Sequence, residues 1–159
     1  MSFFSKIKNF VTGGGAKVSL DVVGKAERGS ALLVRVTADV GDADLDIDHA
    51  KVKIIASEKV SIPNVEVANK VANETDEDDP TDKKTVRHSE RTFDRDKNLT
   101  TATTLNANET YTWEAEIDIP SDALPTFRGR NAKHEWSVMA FLAVRGNDPD
   151  SGWVEFDVT

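Results

Sequence analysis

The chain has 159 residues, 38% of them apolar and 30% charged, enough to bury one core of ordinary size. Its net charge of −8 and pI near 4.9 run against nucleic acid, which needs a basic surface. The absence of cysteine excludes disulfides, thiolate catalysis and cysteine-ligated zinc.

Residues 1–12, MSFFSKIKNFVT, place Phe3, Phe4, Ile7, Phe10 and Val11 at helical spacing, with Lys6, Lys8 and Asn9 on the other side. The spacing predicts a short amphipathic helix, with Ser2 placed to cap its first turn. Gly13, Gly14 and Gly15 end it and form a linker. The apolar stripe either packs on the body of its own domain or docks on a partner. Packing on its own domain is the usual fate of such a stripe. Within the docking reading, which takes in a membrane surface or a partner protein, two lysines are weak bait for a membrane and protein is the better match. The same polar residues interrupt any secretory h-region, which makes the cytoplasm the expected compartment. Without a signal peptide, the sequons at Asn73, Asn98 and Asn108 read as chance matches.

After the glycines the period becomes two. Val18, Leu20 and Val22 alternate with polar neighbours, and Glu27–Ser30 marks a turn. Leu32, Val34, Val36, Ala38 and Val40 point inward from a second strand. Leu45 and Ile47 alternate with Asp42, Asp44, Asp46 and Asp48; Val52, Ile54 and Ala56 follow. Residues 60–67 read as a separate, poorer strand, and Pro63 suits an edge. Residues 70–84 are a charged break, with Glu74, Asp76, Glu77, Asp78 and Asp79 together. Residues 85–93 and 99–105 are short surface strands. Tyr111, Trp113, Ala115, Ile117 and Ile119 alternate as an inner face, and Pro120 ends that strand.

The chain is organised around 133–144, KHEWSVMAFLAV. Trp136, Val138, Ala140, Leu142 and Val144 form its inner face. Met139, Phe141 and Ala143 are apolar as well, which predicts a central strand covered on both faces at that end. Val154, Phe156 and Val158 give a last strand. Eight or nine strands with turns between them predict an all-β sandwich over 16–159, with Trp113, Trp136, Val34, Val36, Leu142 and Phe156 sharing one core.

The start, MSFFSKIKNFVTGGGAKVSLDV, resembles the N-terminus of the bacterial sporulation-control protein family. So does the acidic approach to a strand at Ile47, Asp48, His49, Ala50, Lys51 and Val52. The connection from Ile119 and Pro120 through Leu124, Pro125, Thr126, Phe127, Arg128 and Gly129 into the long strand is similar to the arrestin-like pattern. The resemblance implies an immunoglobulin-like sandwich of the arrestin type and a non-catalytic regulatory or adaptor role. It implies no cofactor. Partner contact is expected through Phe3, Phe4, Ile7 and Phe10.

The alternative chemistry is a cation or a sugar. Asp42, Asp44, Asp46 and Asp48 invite calcium, which wants several carboxylate oxygens. On one strand face they would stand about 7 Å apart in successive pairs, too far for all four to hold one ion. A solvated strand face is the competing reading. Trp113, Trp136 and Trp153 would make a sugar platform only if coplanar and exposed; Trp153 alone is out of phase with its strand. His49, His88 and His134 are scattered, and no nucleophile pattern accompanies them.

Overall fold

The computed structural model describes residues 15–67 and 82–159. The helix expected over 1–12, with Phe3, Phe4, Ile7 and Phe10, and the acidic run Glu74–Asp79 lie outside these residues. Every regular element among the described residues is a strand. In chain order they are β1 Ala16–Val23, β2 Ala31–Val40, β3 Leu45–Ile47, β4 His49–Val67 and β5 Asp82–Thr100. Then follow β6 Thr103–Leu105, β7 Thr110–Asp118, β8 Phe127–Arg128, β9 Ala132–Ala143 and β10 Val154–Phe156.

They form an antiparallel sheet β1-β2-β7, a second antiparallel sheet β10-β9-β4-β5 with β8 beside β9, and a two-stranded piece β3-β6. Alternation fixes which faces meet. Val18 and Leu20 of β1, and Leu32, Val34 and Val36 of β2, point to the same core as Ile54 of β4 and Trp136, Val138 and Leu142 of β9. A one-residue slip in any of these ladders would turn a buried row out to water, so burial specifies the register. Trp113 and Phe156 pack against the core at its margin, half-buried. The molecule is a β-sandwich.

The chain enters β1 through a close backbone approach. Gly41 N–H donates to Gly15 O at 2.8 Å, and a Cβ on Gly41 would stand 3.2 Å from that oxygen. Gly15 itself has φ of 93°, the region that favours glycine.

Three expectations change. The stretches at 52–56 and 60–67 are one 19-residue strand, β4, and 85–93 runs on into the 19-residue β5. The polar residues 57–59 that separated the two stretches, and Pro63, lie at or beside shifts of register at Ala50/Lys51, Ala56/Ser57 and Ile62/Val65 that the long strands absorb. Pro63 falls in the last of these, beside Asn64 with φ of 58°, where a missing N–H removes no ladder bond. Pro63 also lies where β4 has β5 as its one neighbour, because pairing with β9 stops at Val60 and Ala132. The edge reading therefore holds for that half of the strand. Lastly, β9 is central in its sheet, but Met139, Phe141 and Ala143 are only half-buried. Their face looks outward and carries no second layer among the described residues. Their apolarity comes with ring contacts in the sheet plane, such as Phe141 edge-on to His49 at 6.0 Å.

Candidate functional site

The two ends of β4 differ in chemistry. Its beginning lies beside the aspartates. Asp42 and Asp44 sit in the connection before β3, Asp46 in β3 and Asp48 between β3 and β4, and all four are exposed. Asp44 Oδ1 accepts from the Ala107 N–H at 2.8 Å, and Asp46 Oδ1 accepts from the Thr104 hydroxyl at 2.6 Å. These bonds tie β3 to β6 and to the turn that follows β6. The one-face strand geometry expected for the four does not hold, since only Asp46 is within a strand. Among the described residues no three His, Asp or Glu side chains are placed to hold a metal ion.

The far end of β4 is built differently. Past Ser61, whose N–H donates to Asn131 O at 2.7 Å, β5 is the one strand neighbour of β4 among the described residues, and 62–67 with 82–86 form a two-stranded arm. Glu58 faces Glu90, Val60 faces His88 and Ile62 faces Val86, with no shift of register between them. These six share the face that becomes the core face nearer the body, because Glu58 also pairs with the buried His134 of β9. Phe127 pairs with His134 from the other side and shares that face. Ile62, Val86 and Phe127 are 41%, 46% and 37% exposed, and Leu124 nearby in the chain is 44% exposed.

His134 is the hinge pin of this end. It is fully buried although polar, and both ring nitrogens are used. Pro125 O, which can only accept, is 3.0 Å from Nδ1, so Nδ1 carries a proton. Thr92 Oγ1 is 2.6 Å from Nε2 and donates to it in the neutral ring. Trp136 adds an indole N–H to Leu124 O at 3.0 Å. Two side chains of β9 thus hold the connection 120–126 across the mouth of the sandwich. Phe127 stacks on His134 at 6.2 Å, and Trp136 meets it edge-on at 5.8 Å. Alternation in 133–144 had one more even position than the apolar row used. A histidine there, in phase with Trp136, was the legible sign of a buried polar residue.

The opposite face of the arm is cationic. Lys59, Arg87 and Lys133 share it by register, and Arg128 pairs with Lys133. Glu135 receives both Lys133 at 2.8 Å and Lys59 at 3.2 Å. The Lys133 hydrogen bond is the main reason its carboxyl is held below the ordinary 4.5, against the opposing effect of burial. Asp94 is lowered in the same way, chiefly by the hydrogen bond from Arg91 at 2.9 Å. Of the three tryptophans, Trp136 is buried, Trp113 is half-buried and stacked on Tyr111 at 6.1 Å, and Trp153 is exposed. They form no common platform.

The described residues thus combine a closed core, a connection held by His134 and Trp136, and an arm with two dissimilar faces. Among solved structures the chain is similar to Spo0M, a sporulation control protein from Bacillus subtilis. The two share 18% identity at a TM-score of 0.57, over 91% of this chain and 49% of that one. The chain thus spans about half the length of Spo0M. At that identity the likeness establishes a shared fold. No family model and no curated protein sequence matches the chain.

Proposed function

We propose that this is a non-catalytic regulatory or adaptor protein of the cytoplasm, an arrestin-type immunoglobulin-like domain that acts through protein contact. The observation that carries this reading is the fold shared with a sporulation control protein across 91% of the chain. The arm supports it, because a ribbon that leaves the body of a sandwich and keeps apolar side chains exposed is a surface for contact. The contact residues of the chain are Phe3, Phe4, Ile7 and Phe10, whose stripe is too apolar to remain in water uncovered.

Removal of residues 1–12 tests it. Association of the full chain with itself or with a partner, read by light scattering and by pull-down, is expected to disappear while the melting temperature in dilute protein stays near that of the parent. A deletion that lowers the melt and leaves association intact assigns the stripe to its own core and overturns the reading. Calcium titration and a glycan panel by calorimetry address the rival binding modules. The carboxylates of Asp44 and Asp46 already accept hydrogen bonds, so no tight calcium isotherm is expected.

A further inference from the structure

We propose that the core-side face of the β4–β5 arm is the docking site for the N-terminal segment, residues 3–10, of a second copy of this chain. The inference rests on the reading that the N-terminal stripe docks on protein, and names its acceptor.

Three observations meet on that face. First, two strands alone are marginal in water and need a third strand or a packed layer. Among the described residues the arm has neither past Ser61, and Ile62 and Val86 stand opposite one another and exposed. Second, Glu58 and Glu90 are directly opposed across the ladder, an arrangement that is unfavourable between like charges. Among the described residues neither has a cationic partner. A ligand with an apolar stripe flanked by cations would cover the first feature and relieve the second. Third, the sequence 3–10 has that character. It carries Phe3, Phe4, Ile7 and Phe10 with Lys6 and Lys8 interspersed among them.

Reach decides between the same chain and another. The described chain begins at Gly15, which sits against Gly41 and against Leu45 of β3, four residues before β4 begins at His49. From His49 to Ile62 the strand runs about 40 Å, at roughly 3.3 Å per residue. Even fully extended, the eight residues from Ile7 to Gly15 span at most about 29 Å. Ile7 and Phe10 therefore fall short of their own arm by at least about 10 Å, and a second copy supplies the arm. Because each copy has one stripe and one arm, reciprocal exchange closes the pair as a two-fold dimer.

The absence of cysteine makes a direct test clean. Full-length chains carrying Ile7→Cys or Val86→Cys are mixed and mildly oxidised. The expected product is the Ile7–Val86 cross-linked pair, well above its statistical share. A statistical mixture, or a dominant Val86–Val86 product from arm-to-arm packing, overturns the proposal. So does an internal cross-link in a chain carrying both substitutions, since that places the stripe on its own arm. Sedimentation equilibrium gives the second readout, on exposed residues whose replacement leaves the fold intact. Glu58→Lys with Glu90→Lys is expected to weaken dimerisation about tenfold. Lys6→Glu with Lys8→Glu in that background is expected to restore it, and an unchanged constant in either overturns the charge match. If the chain without residues 1–12 still dimerises, the docking role of the stripe itself fails. If dimerisation is lost but the cross-link forms elsewhere, only the arm is wrongly assigned.

Discussion

The two halves of β4 are the instructive comparison. From Ala50 to Ala56 the strand has a neighbour on each side, and every second residue is buried to 0% exposure. From Ile62 onward it has one strand neighbour among the described residues, and the same alternation leaves Ile62 exposed on the same face. The side-chain types barely change: Val52 and Ile54 in the first half, Val60 and Ile62 in the second. What changes is whether a second layer faces them. Burial, and with it stability, comes from the opposing sheet; the apolar side chain alone supplies only the opportunity.

The largest expected effect tests the covered half. Leu142→Ala and Ile54→Ala each remove a fully buried side chain facing the other sheet. Each is expected to destabilise by about 2–5 kcal/mol, from lost transfer energy plus the cavity left behind. Thermal and denaturant melts check this. A loss below 1 kcal/mol at Ile54 would erase the contrast with the far half, since both halves would then behave as surface.

Next in size is the junction between the halves. His134→Ala removes a fully buried ring and leaves Pro125 O and the Thr92 hydroxyl without their partner at a partly buried site. The expected cost is about 1–3 kcal/mol. The specific sign is faster hydrogen exchange in 124–127 with little change in β1 and β2, because the ring pins the connection and not the distant sheet.

Acid is a smaller lever on the same junction. Glu135 has a folded pKa below its ordinary value, so its contribution is fully present above that value and is lost as pH falls through the lower folded one. The lysines it holds are about half exposed, so the pair contributes no more than about 1 kcal/mol. Glu135→Gln is therefore expected to lower stability slightly at neutral pH and to flatten the acid limb of the stability curve. An unchanged acid limb would show that other carboxylates set it.

Much of this fold was legible because alternation survives wherever one sheet covers another. β1, β2, β7 and β9 appear in the sequence with the right phase, and Trp136, Val34, Val36 and Leu142 do share a core. The length of β4 and β5 was not legible. Bulges at 50/51, 56/57 and 62/65 break the period of two without breaking the strand, and a proline inside a bulge reads as a stop. The arm was illegible for a second reason. Its exposed Ile62 and Val86 look like core residues to any pattern, and only the missing third strand tells them apart. His134 lay open to view at an even position of 133–144, but its two hydrogen bonds come from 92 and 125, which no local pattern connects.

The smallest expected effect is the sharpest probe of the far half. Ile62→Ala removes an apolar side chain that is 41% exposed and faces no second layer among the described residues. In dilute protein it is expected to change stability by no more than about 0.5 kcal/mol, against the several lost at Ile54 with the same substitution. The two positions lie on one strand and one face and start from one residue type, so the ratio isolates the second sheet as the cause. Concentration then adds a further axis. A partner that binds only the folded chain raises the melting temperature by mass action. If a second copy covers the arm, the parent melt rises with protein concentration, and Ile62→Ala loses that slope while keeping the dilute value. Ile54→Ala keeps the slope and loses the dilute value. Melts of both variants over a hundredfold range of concentration therefore separate the interior contribution of a strand from its contribution as a surface.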